Sequence, residues 1–97
     1  MMKLSQAAAS LGLPHFGGDA EFDAVGTDSR AVSPGTLFVA LKGERFDGHD
    51  YVHDVLAAGA VGAVVERRWA EANPGLPLIG VVDTREALEG AGGVLQD

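Results

Sequence analysis

Residues 36–41, TLFVAL, form a continuous apolar run of strand length, and residues 50–58 behind it read DYVHDVLAA. An apolar run without alternation belongs to a strand covered on both faces. In the second segment Val52, Val55, Leu56 and Gly59 fall at i, i+3, i+4 and i+7, the spacing of one helical stripe, and Gly59 is placed to end the helix. Two more short apolar runs follow, VGAVV at 61–65 and LIGVV at 78–82, and both read as buried strands. Between them ERRWAEANPGLP is polar, with a turn at Asn73-Pro74-Gly75 and a helical turn expected around Arg68–Ala72.

Upstream, FDAVGT at 22–27 alternates loosely and suits a short strand, and Ser33-Pro34-Gly35 is a turn. The opening, MMKLSQAAASLGL, lacks the apolar block of a signal peptide because Ser5, Gln6 and Ser10 interrupt it. It reads as a helix capped by Ser5, with Leu4, Ala8 and Leu11 on one stripe and Gly12 closing it. At the other end TREALEGAGGVLQD begins as a helix from Thr84, and Gly90, Gly92 and Gly93 then each cost about 1 kcal/mol relative to alanine. The expected order is α-β-β-α-β-(α)-β-α. This predicts an α/β fold, a small mixed sheet flanked by helices, with some parallel pairing.

Composition narrows the function. Ninety-seven residues make one small domain, and 46% hydrophobic content supports a core. A net charge of −7 argues against DNA, RNA or an anionic membrane surface as partner. No run is long enough to insert in a bilayer. The absence of cysteine removes disulfides, thiolate nucleophiles and cysteine-held zinc, and with the missing export signal it favours the cytoplasm.

The loop GERFDG at 43–48 has the G-x-x-x-x-G spacing of a phosphate-binding loop between a strand and a helix. His49 and Asp50 then stand where Lys and Ser or Thr are required, and a carboxylate there repels phosphate, so no ATP site is expected. His49 and His53 are one helical turn apart, as in a zinc helix, but no third ligand is evident; no metal site is expected. The plainer reading is a capped helix start, with Asp47 or Asp50 as N-cap, His49 at the border of the buried face and His53 in solvent. Thr27-Asp28-Ser29-Arg30 gathers hydroxyls and a guanidinium at a strand end; the alternative is an Asx turn with an internal Asp28–Arg30 bridge. A Ser29–His49–Asp triad lacks the strand-turn-helix setting of a nucleophile. Lys42, Glu44, Arg45 and Phe46 offer a ring, a fork donor and a carboxylate suited to a planar polar ligand, or else form a solvated loop with one tucked phenylalanine.

T-D-S-R at 27–30, P-G-T-L-F-V-A-L-K-G at 34–43, E-R-F-D-G-H-D-Y at 44–51 and A-A-G-A at 57–60 together resemble the N-terminal domain of the Mur ligases, over about residues 3–90. G-D-A-E-F at 18–22 adds to the likeness. The resemblance implies an enzyme of peptidoglycan synthesis with three domains: one holding the uridine diphosphate end of the precursor, a central one binding ATP and magnesium, and a third bringing the amino component. It implies the members that join D-Ala-D-Ala to UDP-N-acetylmuramoyl-tripeptide, with the third-amino-acid ligases next. The terminal carboxylate is phosphorylated there and the incoming amine attacks the acyl phosphate. On this reading residues 1–97 are a single UDP-substrate-binding domain, a fragment whose central and C-terminal domains lie elsewhere. It has no catalytic residue, metal or cofactor of its own and no ligase activity alone; it is monomeric and belongs to the bacterial cytoplasm. Thr27 and Ser29 match one substrate-contact segment, and Glu44, Arg45 and Phe46 the second; Asp47, Gly48 and His49 take a structural role. The rival reading is a stand-alone, non-enzymatic binding or interaction module on the same scaffold.

Overall fold

The computed structural model describes residues 2–42 and 45–82. Five strands build the main sheet: β2 (His15–Phe16), β4 (Ala24–Gly26), β5 (Thr36–Val39), β6 (Gly62–Glu66) and β7 (Leu78–Val81), in the spatial order β2-β7-β6-β5-β4. The four from β4 to β7 are parallel, in register Val25 to Leu37, Phe38 to Ala63 and Val64 to Ile79, while β2 runs antiparallel to β7. A two-stranded antiparallel ribbon, β1 (Met2–Lys3) with β3 (Glu21–Phe22), lies beside it. The helices are α1 (Leu4–Leu11), α2 (Val52–Ala57) and α3 (Arg67–Ala72), with a 3-10 turn over Gly48–Tyr51 leading into α2. The mixed α/β sheet expected from the sequence is therefore present.

Strand β5 shows why TLFVAL carries no polar alternation. Leu37 and Val39 pack into a cluster with Leu4, Ala7 and Ala8 of α1, while Phe38 and Ala40 pack with Val52 and Val55 of α2 on the other face. Every residue from Thr36 to Ala40 is buried. Each fully buried aliphatic or aromatic side chain stabilises the fold by about 1.5–3 kcal/mol.

Three local expectations are corrected. The run 22–27 is not one strand: Phe22 pairs with Met2 in the ribbon, and only Ala24–Gly26 joins the main sheet. The break is at Asp23, whose N–H donates to the Gly35 carbonyl at 3.0 Å and turns the chain onto the neighbouring strand. Ser5 does not cap α1. The helix starts two residues earlier, with Lys3 as N-cap, and Gln6 Oε1 accepts the Lys3 N–H at 2.9 Å. Ser5 instead donates its N–H (3.0 Å) and hydroxyl (2.5 Å) to Asp19, a cap delivered from a distant part of the chain. Strand β2 was not foreseen, because two residues after Pro14 carry no periodicity; the Pro14 carbonyl accepts from Gly80 N–H at 3.1 Å and begins the edge pairing. Gly12 closes α1 in the left-handed conformation (φ 70°) as expected, and the helix expected from Thr84 lies outside the described residues.

The Asp19 cap makes a pH prediction. Hydrogen bonds from the Ser5 hydroxyl and N–H hold its carboxyl below the ordinary 3.8. A lowered folded-state value contributes stability above the unfolded value and loses it as pH falls through the folded one. Wild-type protein is expected to be more resistant to urea than Asp19→Asn near neutrality, with the difference vanishing in acid. Urea midpoints measured from about pH 7 down to about pH 2 check this.

Candidate functional site

Strands β4 and β5 are adjacent and parallel, so the segments leaving them, 27–30 and 40–42, emerge at the same edge of the sheet. Open α/β sheets take their ligands in the crevice outside the carboxyl ends of the strands. A cavity of about 450 Å³ lies there. Thr27, Asp28, Ser29 and Arg30, from the end of β4, line it together with Phe46, Gly48 and Tyr51 and the buried Phe38. Phe46 and Tyr51 are large aromatic side chains left 57% and 42% exposed, and both line the cavity.

The segment 27–30 is the Asx turn weighed from its sequence. Asp28 Oδ1 accepts the Arg30 N–H at 2.9 Å and Arg30 Nε at 3.3 Å. The backbone bond from Arg30, then the side-chain bond, hold the Asp28 carboxyl below its usual range. With the Arg30 side chain 89% exposed, the ion pair adds little stability and leaves the other guanidinium donors for water or a ligand. The turn reading and the binding reading are thus compatible.

Of the five expected site residues, Thr27, Ser29 and Phe46 line the cavity. Arg45 is exposed and does not line it; among the described residues the cation lining the cavity is Arg30. Glu44 lies outside the described residues. Tyr51 and Phe38 were missed. Tyr51 had a legible signal, an aromatic off the Val52–Val55 stripe at a helix start, whereas Phe38 reads only as core.

Asp47 is the N-cap of the 3-10 turn, accepting the His49 N–H at 3.0 Å. Partial burial pushes its carboxyl up, but the backbone and side-chain hydrogen bonds from His49 outweigh that and leave it below the usual value. His49 is buried, not at the border of the core, and both ring nitrogens are engaged: Nδ1 with Asp47 Oδ1 at 2.6 Å and Nε2 with Glu66 N–H at 3.0 Å. Neither is free to serve Ser29 as a base or to bind a metal, and His53 is exposed. Among the described residues no three His, Asp or Glu side chains converge. The residues do not fit ATP either. The Asp47 carboxylate already holds the His49 amide that a phosphate would need, and the Gly48 N–H donates to the Leu41 carbonyl at 2.7 Å.

Gly48 is required by packing. A Cβ there would stand 2.9 Å from both Leu41 N and Leu41 O and 3.0 Å from Ala40 Cα, all backbone atoms. Gly48→Ala is expected to cost about 1–3 kcal/mol, read as a fall in the urea midpoint.

The fold is an open α/β sheet with a cavity at the carboxyl ends of two adjacent parallel strands, the place where sheets of this class take their ligands. The sequence profile described as Mur ligase family, catalytic domain, matches residues 21–91. The chain belongs to the Mur ligase family, as a domain of the N-terminal type that its motifs resemble. It is 51% identical over 71 residues to the UDP-N-acetylmuramoyl-tripeptide–D-alanyl-D-alanine ligase of Escherichia coli (strain K12), covering 73% of this chain and 15% of that protein. It is 39% identical over 74 residues to the UDP-N-acetylmuramoyl-L-alanyl-D-glutamate–2,6-diaminopimelate ligase of Geobacillus thermodenitrificans (strain NG80-2), covering 76% of this chain and 14% of that one. A crystal structure of MurF from Acinetobacter baumannii superposes with a TM-score of 0.65 at 33% identity, over 90% of this chain and 18% of that one. The chain spans less than 20% of the length of each of these proteins.

Proposed function

We propose that this domain holds the uridine diphosphate end of UDP-N-acetylmuramoyl-tripeptide for a ligase that adds D-Ala-D-Ala in peptidoglycan synthesis. The observation that carries this reading is the cavity itself, lined by the exposed aromatics Phe46 and Tyr51 together with the polar residues 27–30. A uracil ring matches the aromatic side chains, and a diphosphate matches Arg30. The choice of D-Ala-D-Ala is supported by the 51% identity to the E. coli ligase. The 39% identity to a diaminopimelate-adding ligase supports the third-amino-acid ligases as second reading. The chain's own part in either reaction is to bind and orient. ATP and magnesium activate the precursor's carboxylate, a step this reading assigns to residues outside this chain. The reading also makes the domain a monomer in the bacterial cytoplasm; no helix among the described residues is long and apolar enough to cross a membrane.

The test is an NMR titration of the chain with UDP, uridine and ADP. A ring face and a few hydrogen bonds, with nothing closing over the ligand, give an expected Kd on the order of 1 mM for UDP. Shifts are expected at residues 27–30 and 46–51, larger for the uridine ligands than for ADP. Arg30→Ala should weaken UDP more than uridine, because only UDP carries phosphates for the guanidinium; Arg45→Ala should do so less. An equal response to ADP, or shifts clustered elsewhere, overturns the reading. Which amine is joined is then read from the activity of a full-length ligase with D-Ala-D-Ala against single amino acids.

A further inference from the structure

Strand β6 outlasts β5, and its last inward-facing amide has no strand to pair with. Ala40 N–H donates to the Val64 carbonyl at 2.9 Å, so the polar groups of Val64 face β5; Ala63 N–H donates to the Pro77 carbonyl at 3.1 Å, toward β7. Directions alternate along a strand, so Glu66 faces the β5 side again. By then the chain has turned away at Leu41, and the Glu66 N–H donates instead to His49 Nε2 at 3.0 Å. A backbone N–H only donates, so Nε2 is bare and Nδ1 carries the proton it gives to Asp47 Oδ1 at 2.6 Å. The imidazole is 4% exposed, its ring centre 5.9 Å from that of Trp69. A buried ring so engaged does no acid–base or ligand chemistry. It joins the segment 47–51 to the end of β6, and that segment carries Gly48 and Tyr51 of the cavity, with Phe46 just before it.

We propose that His49 is a positioning residue of the cavity. As its Nδ1–H tautomer it stands in for the strand carbonyl that β5 does not supply, and so holds Phe46 and Tyr51 in place in the cavity they line with Thr27–Arg30. Its consequence for nucleotide binding rests on the function proposed above; the positioning itself does not.

The experiment uses the 97-residue chain. Nitrogen-15 shifts of the His49 ring are expected to show a protonated Nδ1 and a bare Nε2; a protonated Nε2 overturns the proposal. His49→Gln sets an amide oxygen close to the Nε2 position and keeps the Glu66 bond, whereas His49→Asn reaches only Asp47. The Glu66 amide is expected to exchange about tenfold faster in His49→Asn than in His49→Gln. UDP is expected to bind about fivefold more weakly to His49→Asn and within about twofold of wild type to His49→Gln. Asp47→Ala, at a part-exposed position, frees the ring without opening the core. It should shift the Phe46 and Tyr51 amides and weaken UDP in the same direction, which keeps the test decisive if the His49 variants fail to fold. Wild-type UDP affinity in His49→Asn or Asp47→Ala, or equal loss in both His49 variants, overturns the proposal. If wild-type chain shows no response to UDP, the proposed function fails, and Glu66 exchange with the Phe46 and Tyr51 shifts still decides the positioning.

Discussion

Phe38→Ala is expected to remove about 3–5 kcal/mol of stability, the usual cost of deleting a buried ring. Phe38 is 1% exposed and belongs to one buried cluster with Val52, Val55, Ala63, Val65 and Leu78, a cluster drawn from α2, β6 and β7 as well as its own strand. Elements anchored in three places do not collapse into a hole, which puts the expected cost toward the upper end of the range. A domain of 97 residues has a stability of about 5–15 kcal/mol in total, so the variant approaches the limit of folding. A melting temperature lower by about 15–25 °C is the expected reading. Because Phe38 also lines the cavity, UDP shifts at residues 27–30 should be lost below the melting temperature as well. A variant that melts within about 5 °C of wild type would contradict the packing described here.

Gly17→Ala is expected to cost about 3 kcal/mol or more, for two separate reasons. Gly17 has φ of 71°, in the left-handed region where a side chain costs about 1–2 kcal/mol. A Cβ there would overlap the Leu76 carbonyl oxygen and stand 2.6 Å from its carbon, so backbone must move. That movement adds about 1–3 kcal/mol. Gly17 directly follows β2, whose Phe16 is paired with Leu78, so the strain falls on the antiparallel edge of the sheet. Thermal melting checks the size. Faster amide exchange at Gly80, which donates to Pro14, checks the place. A melting temperature unchanged by the substitution would mean that Gly17 and Leu76 are not in contact.

The contrast between these two positions shows what kind of information the chain carries locally. Phe38 sits inside an apolar run that any reading places in a core, and β5, β6, β7 and α2 were all legible in the same way, because burial on both sheet faces or along one helix stripe imposes a pattern within a few residues. The Asx turn at Asp28–Arg30 and the Asp47 cap were legible too, since both bonds close within two residues. Gly17 has no such signature; its need for glycine comes from Leu76, far along the chain. Likewise Asp19 reads as a loop carboxylate until the fold brings it to Ser5.

At the candidate site the division is similar. Thr27, Ser29 and Phe46 were named from residue type and resemblance, and they do line one cavity. Arg30 and Tyr51 each carried a local signal, but that they rather than Arg45 line the cavity, and that His49 is buried against Glu66, was not foreseeable. They depend on which loops the parallel pairing of β4 with β5 sets side by side, and on where β5 ends relative to β6. The sequence by itself determined the α/β class, the principal strands and the family, because local spacing and side-chain chemistry suffice for these. Tertiary structure alone decided the ribbon and edge strands, the capping of α1, and which side chains share the cavity. Those rest on hydrogen bonds and contacts between residues distant in the chain, and no short window of sequence records such partners.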